Sequence, residues 1–265
     1  MVTNVDVKSS CPIVLAVLAL LFAFSARSRT AERQPPVNRE SFAEEPAFQD
    51  DFDPGWEEKQ RAWRVATWMQ NGTRMSPKRC ATNEDGHLVQ TVLPGKPYRG
   101  GSLQTDREFG YGRWVAWVRP SAVPGALNSI FIKDWDDLTT DDSDSDGTGF
   151  EIDIEFLTYT FGPDRGRVHV AVHRKGAKSY SRDVDLDFNP SDGFHKWGYD
   201  ILPGRVVWHV DGEVLHTWEA PEGVIVRDDY EFFFNSWTMR KWIKGPPEEP
   251  AHYHIDWLRF YPLKD

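Results

Sequence analysis

The chain has 265 residues and a formal net charge of -10, with 40% hydrophobic and 14% aromatic residues. This length and apolar content are enough for one sizeable hydrophobic core. The acidic balance argues against a nucleic-acid-binding protein, which needs a basic face, and it weakly disfavours a highly anionic polymer as the ligand.

The N-terminal region contains one apolar run, at residues 12–24, preceded by a single basic side chain at Lys8. The run is too short to span a bilayer comfortably and has the length of a signal-peptide core. We therefore predict a signal peptide over residues 1–25 and a secreted, periplasmic or extracellular protein with no stable membrane partner. Arginines follow the run, which leaves a short membrane anchor as the alternative.

Residues 26–46 are rich in Arg, Glu, Pro and Ser, which predicts a flexible leader. One domain is expected over residues 47–265, because the sequence shows no periodic repeat and no sign of a second domain. Cys11 lies at the edge of the predicted signal, so Cys80 would stand alone and no internal disulfide is expected. We expect a monomer.

The domain consists of short strand-like segments separated by Gly and Pro. Beginning near residue 87, these segments are HLVQTVL, GGSLQT, GRWVAWVRP, RVHVAVH, YSRDVDLDF, HKWGYDIL, RVVWHVDG, EVLHTWEA, YEFFFNSW and HYHIDWLRFYP. Close spacing with almost no helical periodicity is typical of an all-β sandwich. We predict an antiparallel β-sandwich with little helix.

One segment, EIDIEF at residues 151–156, alternates acids with apolar residues. In a strand Glu151, Asp153 and Glu155 would share one face, and the apolar residues would share the other. Acids repel one another in this arrangement and are poor strand residues. A broken local rule often marks a functional site, although an exposed edge strand with solvated acids is the simpler interpretation.

Neighbouring carboxyls suit glycoside hydrolysis. A retaining glycosidase needs a nucleophilic carboxylate and a carboxylic acid about 5 to 5.5 Å apart. Strand positions i and i+4 have Cα atoms roughly 13 Å apart, so the two Glu side chains must lean together. A curved sheet with the acids on its concave face would help. An acid between them can separate the two pKa values.

The EIDIEF segment resembles the catalytic signature of glycoside hydrolase family 16, which includes licheninases, laminarinases, agarases and xyloglucan enzymes. Other segments match the family in order over residues 48–262, including QDDFDPGW, FGYGRWVAWVRP, FFFNSWTMRKWI and HYHIDWLRFY. The resemblance implies a curved jelly-roll (concanavalin-like) β-sandwich with this strand in its concave cleft. It also implies Glu151 as nucleophile, Asp153 as assisting acid and Glu155 as general acid/base.

The resemblance also suggests residues that bind substrate. Aromatic rings stack on sugar faces, and the cleft positions of the family correspond here to Trp237 and Trp242. Asn235, beside them in the sequence, is expected to bind sugar hydroxyls. Trp117 is the next candidate, because Val115 and Trp117 would face the cleft if the odd positions of their strand do so.

Two histidines, His169 and His173, would share one strand face next to the acids. We predict that His173 is a hydrogen-bonding neighbour of Glu155 or of substrate, and that His169 serves packing or meets solvent. A metal role would need further ligands, and none is evident in the sequence.

Calcium is the one metal that the sequence suggests. The segment 142–147 matches half of an EF-hand loop, but its twelfth position would be Asp153 and no helices flank it, so a solvated loop on the cleft rim is expected. The resemblance implies a separate structural calcium held by Asp256 and the carbonyl of Gly86. No cofactor is expected for catalysis.

Five residues at three places depart from the licheninase pattern. Licheninases have Glu-Tyr-Arg where this chain has Ser102-Leu103-Gln104, Glu in place of Val115, and Trp in place of Gly149. The acids are untouched, so the departures concern substrate specificity.

We therefore expect an endo-acting retaining hydrolase of a β-linked polysaccharide, foremost a β-1,3/1,4-glucan. The alternatives are a transglycosylase that uses the same acids and a non-catalytic, lectin-like sandwich, since the fold alone does not decide.

Overall fold

A computed structural model describes residues 39–59, 62–134, 150–174 and 177–264. The predicted signal peptide, the first part of the leader, the 142–147 loop and Gly149 lie outside the described residues. Within the described ranges, no helix combines the length and the apolar character that crossing a membrane requires.

Seventeen strands are numbered here in chain order. Strands β1 to β9 are Phe48–Asp50, Trp63–Val65, Met69–Gln70, Thr73–Met75, Cys80–Thr82, Leu88–Val92, Arg99–Thr105, Gly112–Arg119 and Leu127–Lys133. Strands β10 to β17 are Glu151–Leu157, Gly166–His173, Tyr180–Leu186, His195–Leu202, Arg205–Val210, Glu213–Glu219, Glu231–Trp237 and Ala251–Pro262. The described helices are α1 (Trp56–Lys59) and short 3-10 turns at Arg39–Ser41, Pro77–Arg79 and Thr158–Thr160.

The strands form two sheets. The first has the order β15-β14-β13-β8-β17-β6-β5, with β1 on β17. The second has the order β12-β11-β10-β9-β16-β7-β4-β3, with β2 on β7. The pairs are antiparallel except β4 with β7. The predicted all-β, antiparallel sandwich is confirmed.

The core lies between the sheets and follows the period-two alternation of the strands. In β10, Ile152, Ile154 and Phe156 are fully buried, and Trp114 and Ala116 of β8 face them from the first sheet. The three acids of β10 therefore lie on the outer surface of the second sheet, called here the acid face. The outer surface of the first sheet is called the opposite face.

Aromatic side chains of the first sheet contact β10 on its core-facing side. The indole Nε1 of Trp208 in β14 donates a hydrogen bond of 2.9 Å to the carbonyl of Asp153. Phe156 packs edge-on against Trp197, with ring centroids 4.9 Å apart. The acid strand is therefore fixed by contacts that reach it through the core.

The folded part of the chain begins earlier than predicted. Phe42 is buried and bridges to Leu263, and Ala43 donates a backbone hydrogen bond of 2.8 Å to Pro262. The predicted flexible leader is therefore wrong for residues 39–46, because an apolar side chain in a polar segment anchors it to the last strand. Cys80 is buried, and its thiol is free.

The Trp208 contact gives a test of this arrangement. We expect Trp208→Phe to lower the free energy of unfolding by about 1 to 3 kcal/mol, because it removes a buried hydrogen bond and part of a core ring. Urea unfolding of the variant measures the change. Trp117→Phe, on the opposite face, is the matched control and should shift stability by less than about 0.5 kcal/mol. Equal effects of the two substitutions would contradict the role of Trp208.

Candidate active site

Strand β10 lies inside the second sheet, between β11 and β9. Each acid therefore has two cross-strand neighbours on the acid face. Glu151 is flanked by His173 and Lys133, Asp153 by Ala171 and Phe131, and Glu155 by His169 and Ser129. Because β10 is not an edge strand, the interpretation of solvated acids on a sheet edge is wrong.

Charged neighbours surround the first two acids. The Lys133 Nζ lies 3.2 Å from Oε2 of Glu151. The His173 Nε2 lies 3.4 Å from Oδ2 of Asp153, and its Nδ1 is 2.7 Å from the Ser179 hydroxyl. Asp153 itself is only 3% exposed. The ammonium and the imidazole therefore orient the carboxyls of Glu151 and Asp153.

The environment of the acid face raises the pKa values of two of the acids, Asp153 and Glu155. Burial raises the pKa of Asp153 well above its usual value, and the charges of Glu151 and Glu155 raise it further. Burial, and then the charge of Glu151, likewise raise the pKa of Glu155. Glu155 therefore keeps its proton at a pH where a solvated Glu has lost it, which is the property that a general acid requires.

His173 lies opposite Glu151 and approaches Asp153, so the prediction that it neighbours Glu155 is wrong. The alternative, that His173 contacts substrate, stays a prediction. The residue opposite Glu155 is His169, whose Nδ1 is 2.6 Å from Asp183. Antiparallel pairing runs the two strands in opposite directions, and the first histidine of β11 therefore meets the last acid of β10.

Aromatic residues close one end of the acid face. Trp237 packs near Trp242, with ring centroids 6.3 Å apart, and Trp242 meets His169 edge-on at 5.5 Å. Asn235 lies on the same face of β16, opposite Ser129. The structure therefore brings Asn235, Trp237 and Trp242 to the face that carries the acids.

A row of buried polar side chains adjoins the acids. The Oδ1 of Asn235, the hydroxyl of Ser102 and both amide atoms of Gln104 have no hydrogen-bond partner among the described residues. Asn235 and Ser102 are cross-strand partners, and Gln104 lies opposite Phe233. Buried polar groups are normally paired, so this row is an unsatisfied polar cluster beside the acids. In the sequence, positions 102 and 104 stood out only as departures from the licheninase pattern.

The predicted place of Trp117 is wrong. Trp117 and Val115 belong to β8, which lies between β13 and β17 in the first sheet. Their side chains are on the opposite face, where the Trp117 ring is 6.0 Å from that of Trp257. The alternation within β8 was predicted correctly, but alternation does not tell which sheet a strand joins.

Two groups of side chains could bear on metal binding. Ligand atoms of Glu151, Asp153 and His173 lie within 4.8 Å of one another, but the Lys133 ammonium on Glu151 competes with a cation there. Asp256 lies at an irregularity of β17, and its Oδ1 is 3.8 Å from Nε2 of His87, the residue after Gly86. The two predicted calcium residues are therefore close in space, and a carboxylate with a turn carbonyl fits a hard cation.

Comparison with known proteins agrees with the fold. The model of glycosyl hydrolases family 16 matches residues 56–259. The chain belongs to this family and is a glycosidase.

Relatives and solved structures share the same class. The chain is similar to a β-glucanase of Brevibacillus brevis, at 27% identity over 98% of each chain. It is similar to the endo-1,3-1,4-β-glycanase ExoK of Rhizobium meliloti, at 26% identity over 81% of this chain and 78% of that one. A Bacillus licheniformis β-glucanase structure superposes with a TM-score of 0.67 at 19% identity, covering 82% of this chain and 98% of that chain. The jelly-roll sandwich is thereby confirmed.

The raised pKa of Asp153 predicts how stability depends on pH. A carboxyl whose folded pKa lies above its usual 3.8 stabilises the fold below that value and loses this contribution as pH rises through the folded pKa. The loss can reach about 1.4 kcal/mol for each pH unit. Asp153→Asn keeps the shape without the charge, so its stability relative to the wild type should increase from pH 4 to pH 7.

Thermal or urea unfolding across this pH range measures the difference. Asp187→Asn, on an exposed side chain, is the control and should show a constant difference. A pH-independent difference for Asp153→Asn would contradict the proposed cause.

Proposed function

We propose that the protein is an endo-acting, retaining hydrolase of a β-linked glucan, foremost a β-1,3/1,4-glucan. The observation that carries the proposal is the acid face, where three carboxyls on one strand occupy different electrostatic environments. The names of the relatives support the polymer class, since those in Brevibacillus brevis and Rhizobium meliloti are a β-glucanase and an endo-1,3-1,4-β-glycanase.

The chemistry follows from the two glutamates. Glu155 gives its proton to the glycosidic oxygen while Glu151 attacks the anomeric carbon, which releases one sugar chain and leaves the other as an ester on Glu151. Glu155, now a carboxylate, takes a proton from water. The resulting hydroxide equivalent attacks the same carbon, frees Glu151 and retains the anomeric configuration.

Neighbouring groups position the nucleophile. Burial and the adjacent acids raise the pKa of Asp153, which favours the protonated carboxyl that can donate a hydrogen bond to Glu151. The Lys133 ammonium, 3.2 Å from Glu151, holds the other side of the same carboxylate. Between them they set the direction from which Glu151 approaches the sugar.

Substrate contacts are proposed for the rest of the acid face. Trp237 and Trp242 supply ring surface for a sugar face, and the row of Asn235, Ser102 and Gln104 supplies donors and acceptors for hydroxyl groups. His173 acts through Asp153, because its ring reaches that carboxyl.

Reducing-end release from barley β-glucan, laminarin, agar and xyloglucan tests the activity and its substrate. Wild-type protein should cleave barley β-glucan and yield oligosaccharides of intermediate size. Glu151→Ala and Glu155→Ala should each lose roughly 10³-fold or more on the polymer, while thermal unfolding shows that both variants fold.

Added azide separates the two roles on an aryl oligosaccharide. With Glu155→Ala, azide should attack the ester intermediate and give a β-glycosyl azide. With Glu151→Ala, azide should replace the nucleophile and give an α-glycosyl azide. Exchanged products would reverse the assignment, and full polymer activity of either variant would contradict it.

We infer a calcium ion at Asp256 and the Gly86 carbonyl, where it would stabilise the fold and take no part in the reaction. Calcium at 1,000-fold excess over its Kd would add about 4 kcal/mol of stability. Thermal unfolding in calcium and in chelator measures this, with Asp256→Asn as the variant that should remove the difference. An unchanged midpoint in calcium would refute the site.

We propose that the protein is exported, because residues 12–24 form an apolar run of signal-peptide length. We also propose a monomer, because the reaction described above uses residues of one chain. N-terminal sequencing of protein recovered outside the producing cells would show whether cleavage precedes Ala26, and its elution volume would give the oligomeric state.

A further inference from the structure

The opposite face carries a second groove, on the far side of the sandwich from the acids. Its volume is about 340 Å³, and it is lined by residues of β8, β13, β14, β15 and β17 and by the segment 39–43. The lining combines apolar side chains such as Val115, Val214 and Trp257 with charged ones. None of these residues takes part in the reaction proposed for the acid face.

Buried polar groups form the floor of this groove. Arg113 donates two hydrogen bonds to Asp200, of 2.6 and 2.8 Å, and Asp200 is 1% exposed. His209 is 7% exposed, and its Nε2 lies 3.6 Å from Asp200, beyond hydrogen-bond length. This nitrogen is closed to solvent and faces the Asp200 carboxylate, so Arg113, Asp200 and His209 form a polar floor beneath the groove.

The fold holds the floor in place. Gly198 lies opposite His209 across β13 and β14, and a Cβ at Gly198 would come within 2.6 Å of the His209 ring. A register shift between Trp208 and His209 interrupts the pairing of β14 with β15, and such irregularities redirect side chains. The imidazole thus occupies space that only a glycine provides.

An aromatic strip leads away from the groove across the sheet. Trp257 lies 6.0 Å from Trp117, Trp117 lies 5.6 Å from Phe194, and Phe194 lies 4.7 Å from His87, measured between ring centroids. These side chains are half-buried, so one surface of the strip meets solvent. Ring surfaces beside hydrogen-bonding groups are the combination that binds sugars.

The charges of the groove favour a neutral ligand. Arg113 is neutralised by Asp200, and Lys196 lies beside Asp211, whose carboxylate accepts hydrogen bonds from His195 and from the Lys196 backbone. Three basic side chains, Arg39, Arg113 and Lys196, line the groove beside two acidic ones, Asp200 and Asp211, so its formal charge is close to neutral. A neutral polyhydroxylated chain can use the paired groups as donors and acceptors.

We propose that this groove and the aromatic strip form a second, non-catalytic binding site for a strand of β-glucan. The identity of the polymer rests on the proposed function. The two sites lie on opposite faces, so one molecule can hold a polymer strand at the groove while the acid face cleaves another. Binding at two places raises the local substrate concentration without any new chemistry.

Affinity electrophoresis in gels containing barley β-glucan tests the site. Glu151→Gln abolishes cleavage and serves as the background, in which Trp257→Ala removes the ring and Val214→Arg fills the groove. Each should weaken retardation, raising the apparent dissociation constant about 5-fold or more, in line with about 1 kcal/mol or more per lost aromatic contact. Ile225→Ala, on an exposed side chain in the loop after β15, is the control and should change nothing.

Turnover of a short aryl oligosaccharide by Trp257→Ala and Val214→Arg in the otherwise wild-type chain should remain within 2-fold, which shows that the fold and the acid face are intact. Unchanged retardation of both variants would overturn the second site. Cleavage of β-glucan by the wild type together with this result would leave the proposed function standing. Weakened retardation with no wild-type cleavage would support the site and refute the proposed function.

Discussion

The structure depends on one strand that is apolar on one face and acidic on the other. The apolar face of β10 is fully buried between the sheets, and Trp208 and Phe156 tie it to the first sheet. This packing holds the three acids on an inner strand, where water cannot fully solvate them. The raised pKa values of Asp153 and Glu155 follow from that burial and from the closeness of like charges.

The same constraint opposes stability. An ionised carboxylate buried beside others costs free energy. The raised pKa values of Asp153 and Glu155 favour their neutral forms, and the Lys133 ammonium lies 3.2 Å from Glu151. Active sites often retain such locally unfavourable residues because catalysis needs them. The apolar half of β10 and the aromatic core beneath it supply the compensating stability.

Much of the fold could be predicted because its signals are local. Alternation of apolar and polar residues identified strands such as His195–Leu202 with the right bounds. Leu127–Lys133 was not predicted as a separate strand. In the sequence it is the end of the segment that follows β8, at residues 120–133. Phe42 was assigned to the leader because its neighbours are polar.

Non-local features were harder to predict. Trp117 was placed on the wrong face because the sheet that β8 joins depends on pairing with distant strands. The predicted partner of His173 was wrong because the register between β10 and β11 is set by their packing, which the sequence does not show. Lys133 was not predicted as a neighbour of Glu151, since 17 residues separate the two in sequence. The polar row at positions 102, 104 and 235 likewise becomes visible only when β7 meets β16.

In the proposed mechanism Glu151 forms the bond to the sugar, and Glu155 first donates a proton and then accepts one. Mass spectrometry of the Glu155→Ala variant, mixed with an activated aryl β-oligosaccharide, measures this directly. The good leaving group allows the first step, and the missing base slows the second, so a glycosyl-enzyme should accumulate. The account predicts one added oligosaccharide on the peptide that contains Glu151. Attachment to any other residue, or turnover that releases the inverted anomer, would contradict it.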